Sequence, residues 1–120
     1  MKRSGLRQAR VSTLLRETLS EILMRKVKDP RVATVTITDV EVSHDLKVAH
    51  VFFCLADKAG AADALKGLTS AQGFFRHELR GVLSLKYVPE LIFMYDKSFD
   101  YGTKIDTLLM KIKIDEEKNS

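Results

Sequence analysis

Apolar residues follow two rhythms along the chain, and the places where the rhythm changes mark its elements. Between residues 6 and 28, Val11, Leu14, Leu15, Leu19, Ile22, Leu23 and Val27 recur every three or four positions, which sets them on one stripe of a helix. Asp29-Pro30 stops that helix, because proline lacks an amide donor and pushes the residue before it out of helical geometry. Residues 34–43, TVTITDVEVS, alternate as a strand does. Val35 and Ile37 are odd-numbered whereas Val40 and Val42 are even-numbered, so the strand changes face, and a bulge near Thr38-Asp39 is predicted. SHDLK is a polar turn, and KVAHVFFCLA (47–56) is a second strand, too apolar on both faces for a water-exposed edge. The two strands form a hairpin.

Helical spacing returns at Ala61-Ala64-Leu65-Leu68 and again at Phe75-Leu79-Val82-Leu83, predicting helices over 61–69 and 74–86. The break between them is Ser70-Ala71-Gln72-Gly73. Tyr87-Val88-Pro89 should end the second helix, and ELIFMYD (90–96) reads as a third strand. Ser98 or Asp100 is a candidate cap for a last helix with Ile105, Leu108, Leu109 and Ile112 on one face. The order is αββααβ, and the class is α+β, with helices covering one face of a three-stranded sheet. No repeat or linker divides the chain, so one domain is expected over residues 1–114, with 115–120 a frayed tail.

A chain of 120 residues can bury a single core without disulfides or metal, and its 45% hydrophobic and 30% charged residues suit a soluble globular protein. No apolar run approaches the roughly 18 residues that span a bilayer, and the basic start MKRSGLRQAR has no apolar segment behind it, so a cytoplasmic address is expected. Charge adds more. Residues 1–31 hold nine Lys/Arg against three acids, +6, while the remainder is −2. That asymmetry points to a polyanionic partner, nucleic acid or an acidic membrane surface, although a solvated helix face would explain the same residues.

Candidate chemistry is sparse. Ser43-His44-Asp45 has the letters of a triad, but consecutive turn residues cannot aim at one another in relay geometry. His50 and His77 lack a second ligand at metal-binding spacing, and Asp96 with Asp100 is explained by strand-end and capping roles. Cys54 is the only cysteine and, in VFFCLA, reads as a buried thiol. Neither GxxxxGK[ST] nor GxGxxG occurs. Hence no catalytic residue, metal ligand or cofactor is assigned.

Two helices meeting at a short small-residue break on a three-stranded sheet is how an RNA-binding KH module is built, although only the last position of Ser70-Ala71-Gln72-Gly73 is the glycine of a GXXG loop. Longer stretches are more specific: RxxRVSxLLRExLSEIL (7–23), KDPRV (28–32), VTITDVEVSHDLKVAHVFF (35–53), GFFRHELRGVLSLKYVPELIFMYDKSFDYG (73–102) and IDTLL (105–109). Over nearly its whole length the chain resembles the bacterial ribosome-binding factor A family. The resemblance implies a type-II KH-like fold whose GXXG is replaced by an Ala-x-Gly kink, here Ala71-Gln72-Gly73. It also implies a non-enzymatic, cold-shock-associated factor that binds free small ribosomal subunits and supports late maturation, including processing of the 5′ end of the small-subunit rRNA.

For Gly73 the expectation is a non-helical backbone that lets one helix end and the next begin, with amides exposed to phosphate, while a plain helix C-cap explains the bend equally well. Arg76 and Arg80 share a helix face, with Lys86 one to two turns onward. Phe75 is expected in the core, and Phe74 is left open between core and base stacking. The candidate RNA contacts are therefore Arg3, Arg7, Arg10, Lys26, Lys28, Arg31, Ser70, Ala71, Gln72, Gly73, Arg76, Arg80 and Lys86. The expected partner is the small subunit and its rRNA, bound by a monomer without membrane or small-molecule substrate. An RNA-processing nuclease and a module for an acidic protein partner are the rival readings.

Overall fold

The computed structural model describes residues 5–98, which places Arg3, Asp100, the expected last helix (Ile105, Leu108, Leu109, Ile112) and the tail 115–120 outside the described residues. Helix α1 runs Leu6–Lys26 and buries Val11, Leu15, Leu19, Ile22 and Leu23. Leu14 stays 38% exposed at the margin of that stripe. The helix ends at Lys26, and Arg25 and Lys26 in its last turn face the negative end of the helix dipole. Asp29 then caps a single 3₁₀ turn, Pro30–Val32, by accepting the Arg31 N–H at 2.9 Å.

Strands β1 (Thr36–Val42) and β2 (Val48–Cys54) pair antiparallel. Ile37 faces Phe53 and Asp39 faces Phe52, so Thr38 is the extra residue of a bulge. The bulge turns Val40 and Val42 to the same buried side as Ile37. Thr38 Oγ1 donates to Asp96 Oδ2 at 2.6 Å, holding the bulge to the end of the third strand. The turn between the strands consumes the supposed triad letters. Ser43 Oγ donates to Asp45 Oδ1 at 2.7 Å, the Lys47 N–H donates to the same carboxylate at 3.1 Å, and Leu46 sits at φ 61°.

Strand β3 (Glu90–Tyr95) lies parallel to β2, giving the order β1-β2-β3. The strand that is apolar on both faces is therefore central. A parallel neighbour requires a crossover, supplied by α2 (Ala61–Ser70) and α3 (Gln72–Arg80). Leu15 and Leu19 of α1, Leu68 of α2, and Phe75 and Leu79 of α3 are buried against Val51 and Phe53 of β2 and Phe93 of β3. Phe75 and Phe93 pack with ring centroids 5.7 Å apart, and Phe53 meets Tyr95 edge-on at 5.9 Å. This is the KH-like α+β arrangement that the residue pattern predicts.

Two glutamines tie helices to the rims of the sheet. Gln8 Oε1 accepts the Gly5 N–H at 3.1 Å and its Nε2 donates to the Val42 carbonyl at 3.0 Å, while Gln72 Nε2 donates to the Leu91 carbonyl at 2.8 Å. No helix among the described residues is long and apolar enough to cross a membrane.

One boundary differs from the expectation. Helix α3 stops at Arg80 instead of residue 86, and 81–89 form an irregular return to β3. Its last turn tightens, with Gly81 N–H bonded to Glu78 O and Val82 N–H to Leu79 O. Glycine at 81 weakens further helix, and the chain must come back to place Glu90 N–H on Lys47 O at 2.8 Å. Leu83 still reaches the core, whereas Val82 is 49% exposed.

Candidate nucleic-acid interface

The bend between α2 and α3 is one residue long. Ala71 alone leaves helical geometry, at φ −87° and ψ 1°; its N–H is shared between the Gly67 and Leu68 carbonyls at 3.1 Å each, and its own carbonyl accepts from Phe75 at 2.9 Å. Burial of Leu68 on one side and Phe75 on the other, with Gln72 anchored on β3, sets the angle. Gly73 does not form the bend. It lies inside α3, no glycine among the described residues has a positive φ, and a Cβ at Gly73 would meet nothing within 4 Å. The expectation that Gly73 supplies unusual backbone angles is corrected accordingly: Ala71 takes that role. Of the four break residues, Ser70 and Gly73 are exposed, Ala71 is half-buried against the core, and the Gln72 side chain turns inward. Phe75 is core as expected, and Phe74 is 40% exposed beside Gly73.

Glycine is needed elsewhere, at Gly67. A Cβ there would lie 2.9 Å from Val32 Cγ1, 3.3 Å from Arg31 Cβ and 3.3 Å from Asp29 Oδ2, so α2 touches the Pro30–Val32 turn backbone to side chain. That contact fixes Arg31, whose guanidinium lies on Asp29 with Nη2 to Oδ2 at 2.7 Å and Nε to Oδ1 at 3.1 Å. The hydrogen-bonded Arg31 side chain holds the Asp29 carboxyl below its usual range, and Asp29 raises Arg31 in turn. Arg31 is thus partly neutralised. Lys26 is paired as well, Nζ to Glu78 Oε2 of α3 at 2.7 Å.

The remaining candidates form separate groups. Arg7 and Arg10 are exposed at the start of α1, where no acid occupies the first turn and the helix dipole is positive. At 1.5 Å per residue they lie roughly 24–28 Å from Lys26 along the helix. Lys28 is exposed after the helix end. Arg76, Arg80 and Lys86 come together, but not as one helix face, because Lys86 stands on the 81–89 return instead of α3. Arg76 is also structural: its Nη2 donates to the Val88 carbonyl at 3.1 Å. Tyr87, read from sequence only as part of a helix stop, is 66% exposed in that group, with Lys86 Nζ 5.4 Å from its ring centroid. An aromatic beside a lysine was the available signal.

The arrangement offers cations and exposed backbone to an anion. Among the described residues no group of three or more His, Cys, Asp or Glu could hold a metal ion. Cys54 is buried, and that burial, followed by the nearby Asp96 charge, pushes its thiol pKa up, away from nucleophile behaviour.

Residues 7–109 match the family described as Ribosome-binding factor A. The protein named Ribosome-binding factor A in Syntrophobacter fumaroxidans (strain DSM 10017 / MPOB) is 48% identical over 109 residues, covering 88% of this chain and 93% of that protein. The crystal structure of ribosome-binding factor A from Thermus thermophilus superposes with a TM-score of 0.66 at 25% identity, covering 73% of this chain and 93% of that one. A homology model of a Thermus thermophilus ribosome-binding factor A, fitted into a cryo-microscopy map of a 30S complex, shares the fold at 22% identity and a TM-score of 0.57, covering 79% and 97% of the two chains.

Proposed function

The chain belongs to the ribosome-binding factor A family, and from that premise we propose that it binds the free small (30S) ribosomal subunit through its rRNA and supports late assembly. It works by binding alone, as a monomer without cofactor, membrane or small-molecule substrate. Processing of the 5′ end of 16S rRNA and growth after cold shock depend on that binding. The observation that carries this reading is identity of 48% to a ribosome-binding factor A across 88% of the chain. The electrostatics support it: Arg7, Arg10, Lys28, Arg80 and Lys86 have no ion pair among the described residues, and phosphate is the natural partner of such cations.

Gradient sedimentation of tagged protein tests the reading, the expectation being co-migration with free small subunits and not with full ribosomes. A strain lacking the protein should accumulate 5′-extended 16S precursor, more so in the cold. Cleavage of precursor rRNA by purified protein with divalent metal would favour a nuclease instead. An association that survives nuclease treatment of the lysate would favour a protein partner.

A further inference from the structure

Beyond the general attraction of cations for rRNA, the return segment after α3 builds a place for one nucleotide. A cleft of about 280 Å³ is lined by the apolar Leu83, Leu85 and Val88 together with Arg76, Arg80, Lys86 and Tyr87. That volume lies near the small end of the roughly 300–1,000 Å³ typical of small-ligand sites. No acidic residue lines it. Arg76 is held in place by its bond to Val88 O, and its buried Nε has no partner among the described residues. Tyr87 is the most exposed Phe or Tyr residue among the described residues. Lys86 Nζ lies 5.4 Å from the ring centroid, and Tyr87 as a whole is 66% exposed, which leaves the residue open to stacking.

An aromatic ring beside cations that no acid neutralises is the chemistry that holds an unpaired base with its phosphate. A duplex keeps its bases stacked inside, and along its length it offers backbone and base edges but no free base face. We propose that this cleft takes a single unpaired nucleotide of RNA, the base stacked on Tyr87 and the phosphate held by Arg80 and Lys86, with Arg76 behind them. The inference rests on the reading that the chain binds rRNA.

The test compares binding of a short single-stranded oligoadenylate and a short mixed-sequence RNA duplex to the full chain. Tyr87→Ala should weaken oligoadenylate binding by about tenfold, within the range measured for base–aromatic stacking, and leave duplex binding unchanged. Tyr87→Phe should restore it, since the ring and not the hydroxyl does the stacking. Arg80→Glu with Lys86→Glu should weaken both RNAs. If Tyr87→Ala leaves oligoadenylate binding intact while the charge reversal weakens both, the nucleotide site is overturned and the rRNA reading stands. If the unaltered chain binds neither RNA, the rRNA reading itself fails, and the cleft with it.

Discussion

Two glycines of the crossover helices have opposite meanings, and one methyl group distinguishes them. Gly67→Ala sets a Cβ 2.9 Å from Val32 Cγ1, a β-branched and nearly fully buried partner that cannot swing away, so the contact outweighs the gain in helix propensity. Chemical denaturation should show a loss of about 1–3 kcal/mol. Gly73→Ala meets open space in a helical backbone and should be neutral or stabilising by up to about 1 kcal/mol. A fall in small-subunit affinity in that stable variant would show a partner approaching the Gly73 backbone closely. Asp29 and Asp45 offer a second residue-scale measurement. Both carboxyls titrate below their usual range, Asp29 chiefly through the Arg31 side chain and Asp45 chiefly through the Ser43 hydroxyl. A depressed folded-state value means the contribution is complete above the ordinary carboxylate range and is lost as pH falls through the depressed one. The Arg31 and Lys47 amide resonances, whose N–H groups these carboxylates accept, should therefore shift only below about pH 3.9. A midpoint at or above the ordinary value would contradict the hydrogen bonds.

At the scale of elements, the Thr38 bulge shows what sequence can reveal about a strand. Deleting Thr38 would remove the extra residue and leave Ile37, Val40 and Val42 on one face by simple alternation, so the deletion should keep cooperative folding by circular dichroism, and its loss would show that the bulge itself is required. Thr38→Val removes only the bond to Asp96 and should cost about 1 kcal/mol. The bulge was legible because parity is a local property of the string. The same holds for α1, for the proline stop and for the centrality of β2, which its two apolar faces announce. The end of α3 was not legible, because Leu79, Val82 and Leu83 keep helical spacing past Gly81, and only the pairing of Glu90 with Lys47 requires the chain to turn back. The candidate site divides in the same way. Residue types and charges could be read, but Lys26 with Glu78, Gln72 with Leu91 and Arg76 with Val88 join distant positions, and each such bond redirects a side chain that composition offered to RNA.

Across the whole molecule, the excess charge of the first 31 residues is distributed along α1 and partly consumed by Glu21, Glu78 and Asp29, so among the described residues its cations without an ion pair are Arg7 and Arg10 at the helix start, Arg16 in its middle and Lys28 beyond its end. Arg7→Ala with Arg10→Ala should lower subunit affinity and flatten its log–log salt dependence by roughly 0.7 to 0.9 for each phosphate left without its cation. The melting temperature should hold, since both side chains are exposed. An unchanged slope would move the interface away from this end. The glutamine anchors reach further than the helices they fasten. Ser43 N–H bonds Val48 O and Glu90 N–H bonds Lys47 O, so by alternation the Val42 and Leu91 carbonyls point away from β2, outward from the two open edges of the sheet. Those are the carbonyls that Gln8 and Gln72 occupy. A strand from another molecule seeking to add to either edge finds an acceptor already taken at each. Gln8→Ala with Gln72→Ala should leave a folded chain that aggregates sooner at high concentration, followed by light scattering, and unchanged scattering would show that the edges are guarded by other means. Earlier aggregation would show that the side chains bracing the helices also limit growth of the sheet.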